Sequence, residues 1–209
     1  MTLPADITEI TDDGKQFARL RHATDPGEVR RGIIELGDVL GPRTADIVRN
    51  ELVSLQDVLC VVVLRGGALL YPGFARAFPW ADFCMLGMRR RPEPGGNRLS
   101  PANEYMTTVP REEYRATVYI DCVSATGDTL LAARNSVARM CDGGREVAAV
   151  VCSAGVATAR LRGAGIGLVG FSLHEDLDGQ VVVPDMGELD AGDLFSGVPR
   201  HPAPGGHER

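Results

Sequence analysis

Val118-Tyr119-Ile120-Asp121-Cys122-Val123-Ser124-Ala125-Thr126-Gly127-Asp128-Thr129-Leu130 carries the strongest fold signal in the sequence. An apolar run of strand length ends in an acid, a turn of small residues follows, and a helix-like pattern starts at once. Strand, tight turn and helix in that order form the βα half of a parallel sheet. The turn also carries chemistry. Ser124, Ala125, Thr126, Gly127 and Thr129 bring backbone N–H groups and hydroxyls to a helix N-terminus, where the macrodipole favours a phosphate. Asp121 stands just outside that nest, placed to accept hydrogen bonds from sugar hydroxyls. Asp128, in the first helical turn, complements the helix dipole. The plainer reading of the same residues is an ordinary βα turn with Thr126 or Thr129 as its N-cap.

Upstream, residues 59–64 form a continuous apolar run closed by Arg65-Gly66-Gly67, and residues 68–78 have the pattern of an amphipathic helix. The glycines allow close backbone approach to an anion, and Arg65 adds a fixed charge with forked donors. On its own this stretch reads equally as a turn with a solvated arginine. Residues 83–88 give a second strand, and Arg89-Arg90-Arg91 heads a loop expected over 89–102, which holds Pro92, Pro94, Gly95, Gly96 and Pro101. That cationic triplet is either a solvated face or a mobile clamp on a polyanion. Further strands are expected over 117–121, 147–152, 167–173 and 181–183, with helices over 127–141 and 156–162. Near the start, residues 25–52 carry apolar positions at helical spacing with a break at Gly41-Pro42, and Thr24 or Asp25 before Pro26 suits a helix start. Residues 1–20 read as an N-terminal arm over the body or a partner, and residues 200–209 as a disordered tail.

Strands apolar on both faces and alternating with helices specify a doubly wound α/β domain, a parallel sheet of about five strands flanked by helices. With 209 residues the chain suits a single domain, expected over 1–199. In such sheets ligands bind beyond the carboxyl ends of the strands, where the three loops just described lie.

Composition narrows the partners. The chain carries 22 basic and 28 acidic residues, a net charge of −6, which argues against nucleic acid or an anionic membrane as its partner. Glycine accounts for 25 of the 209 residues, about 12% against about 7% in average usage. The apolar runs are too short for a membrane span, and Met1-Thr2-Leu3-Pro4-Ala5-Asp6 does not have the pattern of a secretory signal. The 5 cysteines include no C-x-x-C pair, so reduced thiols in a cytoplasmic protein are expected in place of a zinc site. No G-x-x-x-x-G-K-[ST] is present. Gly165-Ile166-Gly167-Leu168-Val169-Gly170 matches G-x-G-x-x-G but runs into a strand, the wrong context for a dinucleotide fold.

The 121–129 segment resembles the phosphoribosyl pyrophosphate loop of type I phosphoribosyltransferases. Leu64-Arg65-Gly66-Gly67, Gly87-Met88-Arg89-Arg90, the 121–129 loop, and Val182-Val183-Pro184 followed by Asp190-Ala191-Gly192-Asp193 fall in the order seen in uracil phosphoribosyltransferases. Those enzymes read roughly I-L-R-A-G, G-x-Y-R-[DN]-E, D-P-M-L-A-T-G-G-S and Y-I-V-P-G-L-G-D-A-G-D. Leu20-Arg21 with Thr24 is similar to their L-R-D-x-x-T. The resemblance spans about residues 20–197, and it implies a small C-terminal hood and a homodimer or larger homo-oligomer. It also implies small-molecule substrates, phosphoribosyl pyrophosphate and a uracil-like base, joined with release of pyrophosphate. Arg65 and Arg90 would contact the pyrophosphate, with Gly66 in close approach. Asp121, Ser124, Ala125, Thr126, Gly127, Asp128 and Thr129 would hold the ribose and its 5-phosphate. Val182, Leu189, Asp190 and Ala191 would face the base. Asp190 would lie at the donor–base junction, meeting a magnesium ion bound mainly through phosphoribosyl pyrophosphate. Asp121, Asp190 and Arg65 are the residues expected to carry catalysis.

The sequence departs from the family where the base binds. Asp185-Met186-Gly187-Glu188-Leu189 places five residues between Pro184 and Asp190 where the family has three. Arg91 replaces the acid or amide that follows the clamp arginine, and the 121–129 loop is closer to the general superfamily form than to D-P-M-L-A-T-G-G-S. The donor half is retained and the acceptor half is altered. Transfer to a non-uracil acceptor in specialised metabolism, and a non-catalytic sensor or regulator on the same fold, are therefore the alternatives to uracil salvage. His174 has no assigned chemical role.

Overall fold

A strand that is apolar on both faces has to be covered on both, and Val58–Leu64 shows the consequence. Val58, Cys60 and Val62 pack into one layer of side chains, and Leu59, Val61 and Val63 into the opposite one. The computed structural model describes residues 6–10, 17, 19–20, 25–51, 55–92, 99–178 and 181–183. In chain order the elements are β1 (Ile7–Glu9), α1 (Pro26–Glu51), β2 (Val58–Leu64), a 3-10 turn (Gly66–Leu69), α2 (Tyr71–Ala77) and β3 (Asp82–Pro92). There follow β4 (Leu99–Met106), β5 (Ala116–Ser124), α3 (Asp128–Val137), β6 (Arg145–Ala154), α4 (Gly155–Gly163), β7 (Gly167–Asp178) and β8 (Val181–Val183).

The sheet order is β1-β7-β6-β5-β2-β3-β4. All neighbours are parallel from β1 to β3, while β4 returns antiparallel along β3 and β8 pairs antiparallel with the end of β7. From β2 the chain winds outward to β3, and from β5 it winds the other way through β6 and β7. The strand order therefore reverses between β2 and β5, which makes their carboxyl ends the topological switch point of the sheet. On one face α1 and α2 cover the sheet through Val29, Ile33, Leu36, Leu40, Phe74 and Phe78. On the other, α3 and α4 cover it through Leu130, Ala133, Val137 and Leu161. This is the doubly wound α/β architecture that the sequence predicts.

Several boundaries differ from the sequence reading. The helix expected to break at Gly41-Pro42 runs unbroken from Pro26 to Glu51. It starts on Asp25, whose Oδ2 accepts the Glu28 N–H at 2.9 Å. Leu40, Ala45 and Val48, on both sides of Pro42, are buried, so packing against the sheet holds the helix together across the missing N–H. Both described ends of the loop expected over 89–102 are strand: Arg89, Arg90 and Arg91 belong to β3 and pair antiparallel with Ala102, Pro101 and Ser100 of β4, while residues 93–98 lie outside the described residues. β7 extends to Asp178, so His174 lies on a strand and is exposed. The N-terminal arm adds β1 to the edge of the sheet, and Phe17 stacks on Phe171 at 6.3 Å. Gly165, with φ 84°, turns the chain into β7 as its sequence context indicates. Residues 184–209, which include most of the expected hood and the tail, lie outside the described residues. Among the described residues, no helix is long and apolar enough to cross a membrane.

α1 and α2 touch backbone to backbone. An ideal Cβ at Gly73 would stand 2.1 Å from the Gly37 carbonyl oxygen, and one at Gly41 would stand 2.7 Å from the Gly73 oxygen. Gly73→Ala is therefore expected to force the helices apart and cost about 1–3 kcal/mol in stability. Urea unfolding checks this, and an unchanged midpoint would show that the contact yields freely.

Candidate functional site

The site begins where β2 ends. The Leu64–Arg65 peptide is cis, and Arg65 is exposed at the head of the 3-10 turn. Gly66 and Gly67 then pass directly against the neighbouring strand β5. An ideal Cβ at Gly67 would stand 2.3 Å from the Ile120 carbonyl oxygen, and one at Gly66 would stand 2.9 Å from Asp121 Oδ1. The Ile120 backbone oxygen excludes a side chain at Gly67, whereas a Cβ at Gly66 would have to push the Asp121 carboxylate aside. Cys122 fastens the same seam, its Sγ donating to the Gly66 carbonyl at 3.1 Å. The Asp121 carboxylate is half-buried at the crossing, where its Oδ1 accepts the Cys122 N–H at 2.8 Å.

Beyond the end of β5, Gly127 adopts a left-handed conformation with φ 79° and opens α3. Its carbonyl accepts the first helical bond, from Leu131 at 3.0 Å. The N–H groups of the first helical turn have no partner inside the helix, and they point toward the end where the strands terminate. Thr126 folds over this turn. Its hydroxyl donates to Asp128 Oδ2 at 2.9 Å and also accepts the Asp128 N–H at 3.4 Å. Ser124, the last residue of β5, is only 4% exposed, and its hydroxyl has no hydrogen-bond partner among the described residues. A buried unpaired hydroxyl is costly, and here it lies beside a helix N-terminus suited to an anion.

The predicted site residues divide into three groups. Arg65, Gly66, Asp121, Ser124, Ala125, Thr126, Gly127, Asp128 and Thr129 converge on the switch point. Arg90 does not belong to that cluster. Gly87 is the residue of β3 that pairs with Leu64, and Arg90 lies three positions beyond it, about 10 Å further along an extended strand. It projects on the β3–β4 arm past the carboxyl edge of the sheet. Arg89 and Arg91, on the opposite face of β3 from Arg90, both turn to Glu104: Arg91 Nε donates at 3.0 Å and Arg89 Nη1 stands at 3.9 Å. These two arginines stiffen the arm. Val182 sits on β8, opposite Leu177 of β7, beyond the carboxyl end of β6. Leu189, Asp190 and Ala191 lie outside the described residues.

Motif reading missed two participants. Cys122 joins the two loops through its thiol. Arg160 of α4 bonds both Thr126 and Asp128 across the phosphate loop. Nothing in the local sequence marks either, because both act through partners far away in the chain.

Among the described residues, no three His, Cys, Asp or Glu side chains gather to hold a metal ion. The Asp121 carboxylate is a hard oxygen donor at the switch point, a type that would suit magnesium carried on a substrate's phosphates.

Comparison with known proteins agrees with this geometry. Residues 38–195 match the family model described as uracil phosphoribosyltransferase. A uracil phosphoribosyltransferase from Methanothermobacter thermautotrophicus is 25% identical over 191 residues, covering 84% of this chain and 86% of that protein. Among solved structures, the AQ2163 protein from Aquifex aeolicus superposes with a TM-score of 0.77 at 18% identity, covering 93% of this chain and 100% of that one. An adenine phosphoribosyl transferase from Trypanosoma brucei, in complex with AMP, pyrophosphate and ribose-5-phosphate, superposes with a TM-score of 0.51 at 15% identity. It covers 82% of this chain and 84% of its own. Both superpositions reflect a shared fold.

The seam at Gly66 makes a direct prediction. Gly66→Ala pushes Asp121 aside and disturbs the turn that follows Arg65, so affinity for inorganic pyrophosphate is expected to fall about tenfold, the loss of one charge-assisted contact. Calorimetric titration measures this. Wild-type affinity in the variant would show that the turn is not an anion cradle.

Proposed function

The chain belongs to the uracil phosphoribosyltransferase family, and from that premise we propose that it joins uracil to the ribose 5-phosphate of phosphoribosyl pyrophosphate with release of pyrophosphate. The observation that carries the reading is the meeting of the Arg65-Gly66-Gly67 turn and the 121–129 loop at the switch point, with the buried Ser124 hydroxyl beside them. One loop suits a pyrophosphate and the other a sugar phosphate, at a separation set by adjacent strands.

In this reading the bond from the anomeric carbon to the pyrophosphate oxygen breaks, and pyrophosphate leaves with the electron pair. A bond forms from the same carbon to a ring nitrogen of uracil, which gives up its proton. The sugar carries cationic character in passage, so the protein's task is to position the partners and stabilise the departing anion. Arg65 supplies a guanidinium to the pyrophosphate, and the Gly66 backbone permits its approach. Asp121 accepts hydrogen bonds from the ribose hydroxyls and carries a negative charge close to the cation-like sugar. Backbone N–H groups and hydroxyls of residues 124–129 hold the 5-phosphate. Arg90, on its arm, reaches the donor from above. Val182, Leu189 and Ala191 offer backbone groups to the base, and Asp190 stands at its junction with the donor. Magnesium, carried on the donor and met by Asp190, would neutralise pyrophosphate charge as it builds.

We further assign residues 1–199 to a single phosphoribosyltransferase-like domain, acting as a homo-oligomer in a reducing cytoplasm. The 5 buried free thiols suit that compartment.

The test incubates the protein with Mg²⁺, phosphoribosyl pyrophosphate and a panel of pyrimidine, purine and other heteroaromatic bases, following pyrophosphate release. Release with uracil is expected, and Asp121→Asn and Arg65→Ala should each lower turnover about tenfold or more, equivalent to about 1.4 kcal/mol of transition-state stabilisation. Release only with another base overturns uracil as the acceptor. Tight donor binding with no release from any base overturns catalysis in favour of a sensor.

A further inference from the structure

Arg160 belongs to α4, packed beside the phosphate loop but not part of it. Its Nη1 donates to the Thr126 carbonyl at 2.5 Å and its Nη2 donates to Asp128 Oδ1 at 2.7 Å. The other oxygen of Asp128 accepts the Thr126 hydroxyl at 2.9 Å. The two segments lie close together, since an ideal Cβ at Gly127 would stand 3.5 Å from the Ala157 carbonyl oxygen. Arg160 thus grips the loop through a backbone carbonyl and a carboxylate together.

Two consequences follow from elementary chemistry. The Thr126–Gly127 peptide is planar and trans, so its C=O and N–H point in opposite directions. Holding the carbonyl against α4 aims the Gly127 N–H away from α4. The second consequence is electrostatic. Asp128 puts a carboxylate in the first turn of α3, beside the position suited to a phosphate, and two anions there repel each other. The guanidinium opposes that charge at hydrogen-bonding distance. Arg160 is placed to offset the Asp128 carboxylate.

We propose that Arg160 is a positioning residue for the phosphate loop, which orients the Gly127 peptide and cancels the Asp128 charge so that the loop accepts the 5-phosphate of the donor. The inference rests on the donor-site reading above. It assigns a function to a side chain that need not touch the substrate.

The experiment compares wild type, Arg160→Ala, Asp128→Asn and the double variant by steady-state kinetics. Calorimetric binding of phosphoribosyl pyrophosphate and of ribose 5-phosphate accompanies it. Arg160→Ala is expected to raise KM for the donor about tenfold or more, with a much smaller change in kcat and in KM for the base. The binding constants for both ligands should weaken in parallel. In the Asp128→Asn background the same change should cost distinctly less, because no carboxylate is left exposed. Arg160→Lys keeps the charge while losing the fork, and provides a second, milder variant with an intermediate KM. Donor KM and ribose 5-phosphate affinity within about twofold of wild type in Arg160→Ala would overturn the inference. Equal losses for donor and base would overturn it as well, since they mark general damage. A wild-type chain that neither binds nor consumes the donor overturns the donor-site reading, and this inference falls with it.

Discussion

The site depends on one constraint, a backbone-on-backbone contact between the turn after β2 and the end of β5. Gly67 against the Ile120 carbonyl leaves no room for a side chain, and Gly66 lies against the Asp121 carboxylate. That closeness sets how near the two loops stand. The strand order reverses at this pair, which places both loops at the topological switch point of the sheet. The Cys122 thiol bonded to the Gly66 carbonyl ties the loops from within. A bulkier residue at 67 would change the spacing between the two loops at the switch point.

Charge is distributed in keeping with this arrangement. Many arginines in a chain of net charge −6 answer carboxylates in the scaffold. Arg134 meets Glu146 at 2.7 Å, and Glu146 in turn accepts the buried Tyr119 hydroxyl at 2.9 Å. That arrangement lies beneath the loop on the α3 face, where burial pushes the Tyr119 phenol well up and keeps it a neutral donor. Arg111 meets both Asp57 and Asp82 at the opposite, amino-terminal end of the sheet. An acidic protein can therefore present guanidinium groups locally at one edge without becoming a general polyanion binder.

Much of this was legible in the sequence because the relevant signals are local. The run 118–130 encodes a strand, an acid, a turn and a helix in consecutive residues, and the structure places them so. Apolar runs in β2, β5 and β6 announced burial on both faces. The errors have physical reasons. β4 escaped notice because Ser100-Pro101-Ala102-Asn103-Glu104 is polar and contains proline, which an edge strand tolerates and a central strand does not. The expected break at Gly41-Pro42 failed because Leu40, Ala45 and Val48 are buried on either side, and tertiary packing outweighs local propensity. Arg160 and Cys122 carry no motif, since each meets its partner only after folding. The base-binding half was read from resemblance alone, through residues 185–191 outside the described structure.

In the proposed function the two loops at the β2–β5 switch point hold opposite ends of one donor molecule. A crystal structure of the protein with Mg²⁺ and phosphoribosyl pyrophosphate would show this. The 5-phosphate is expected against the backbone N–H groups of residues 125–129 and the pyrophosphate against Arg65 and Gly66, with Asp121 at the ribose. A donor bound elsewhere, or bound with its phosphates exchanged between the two loops, would contradict it.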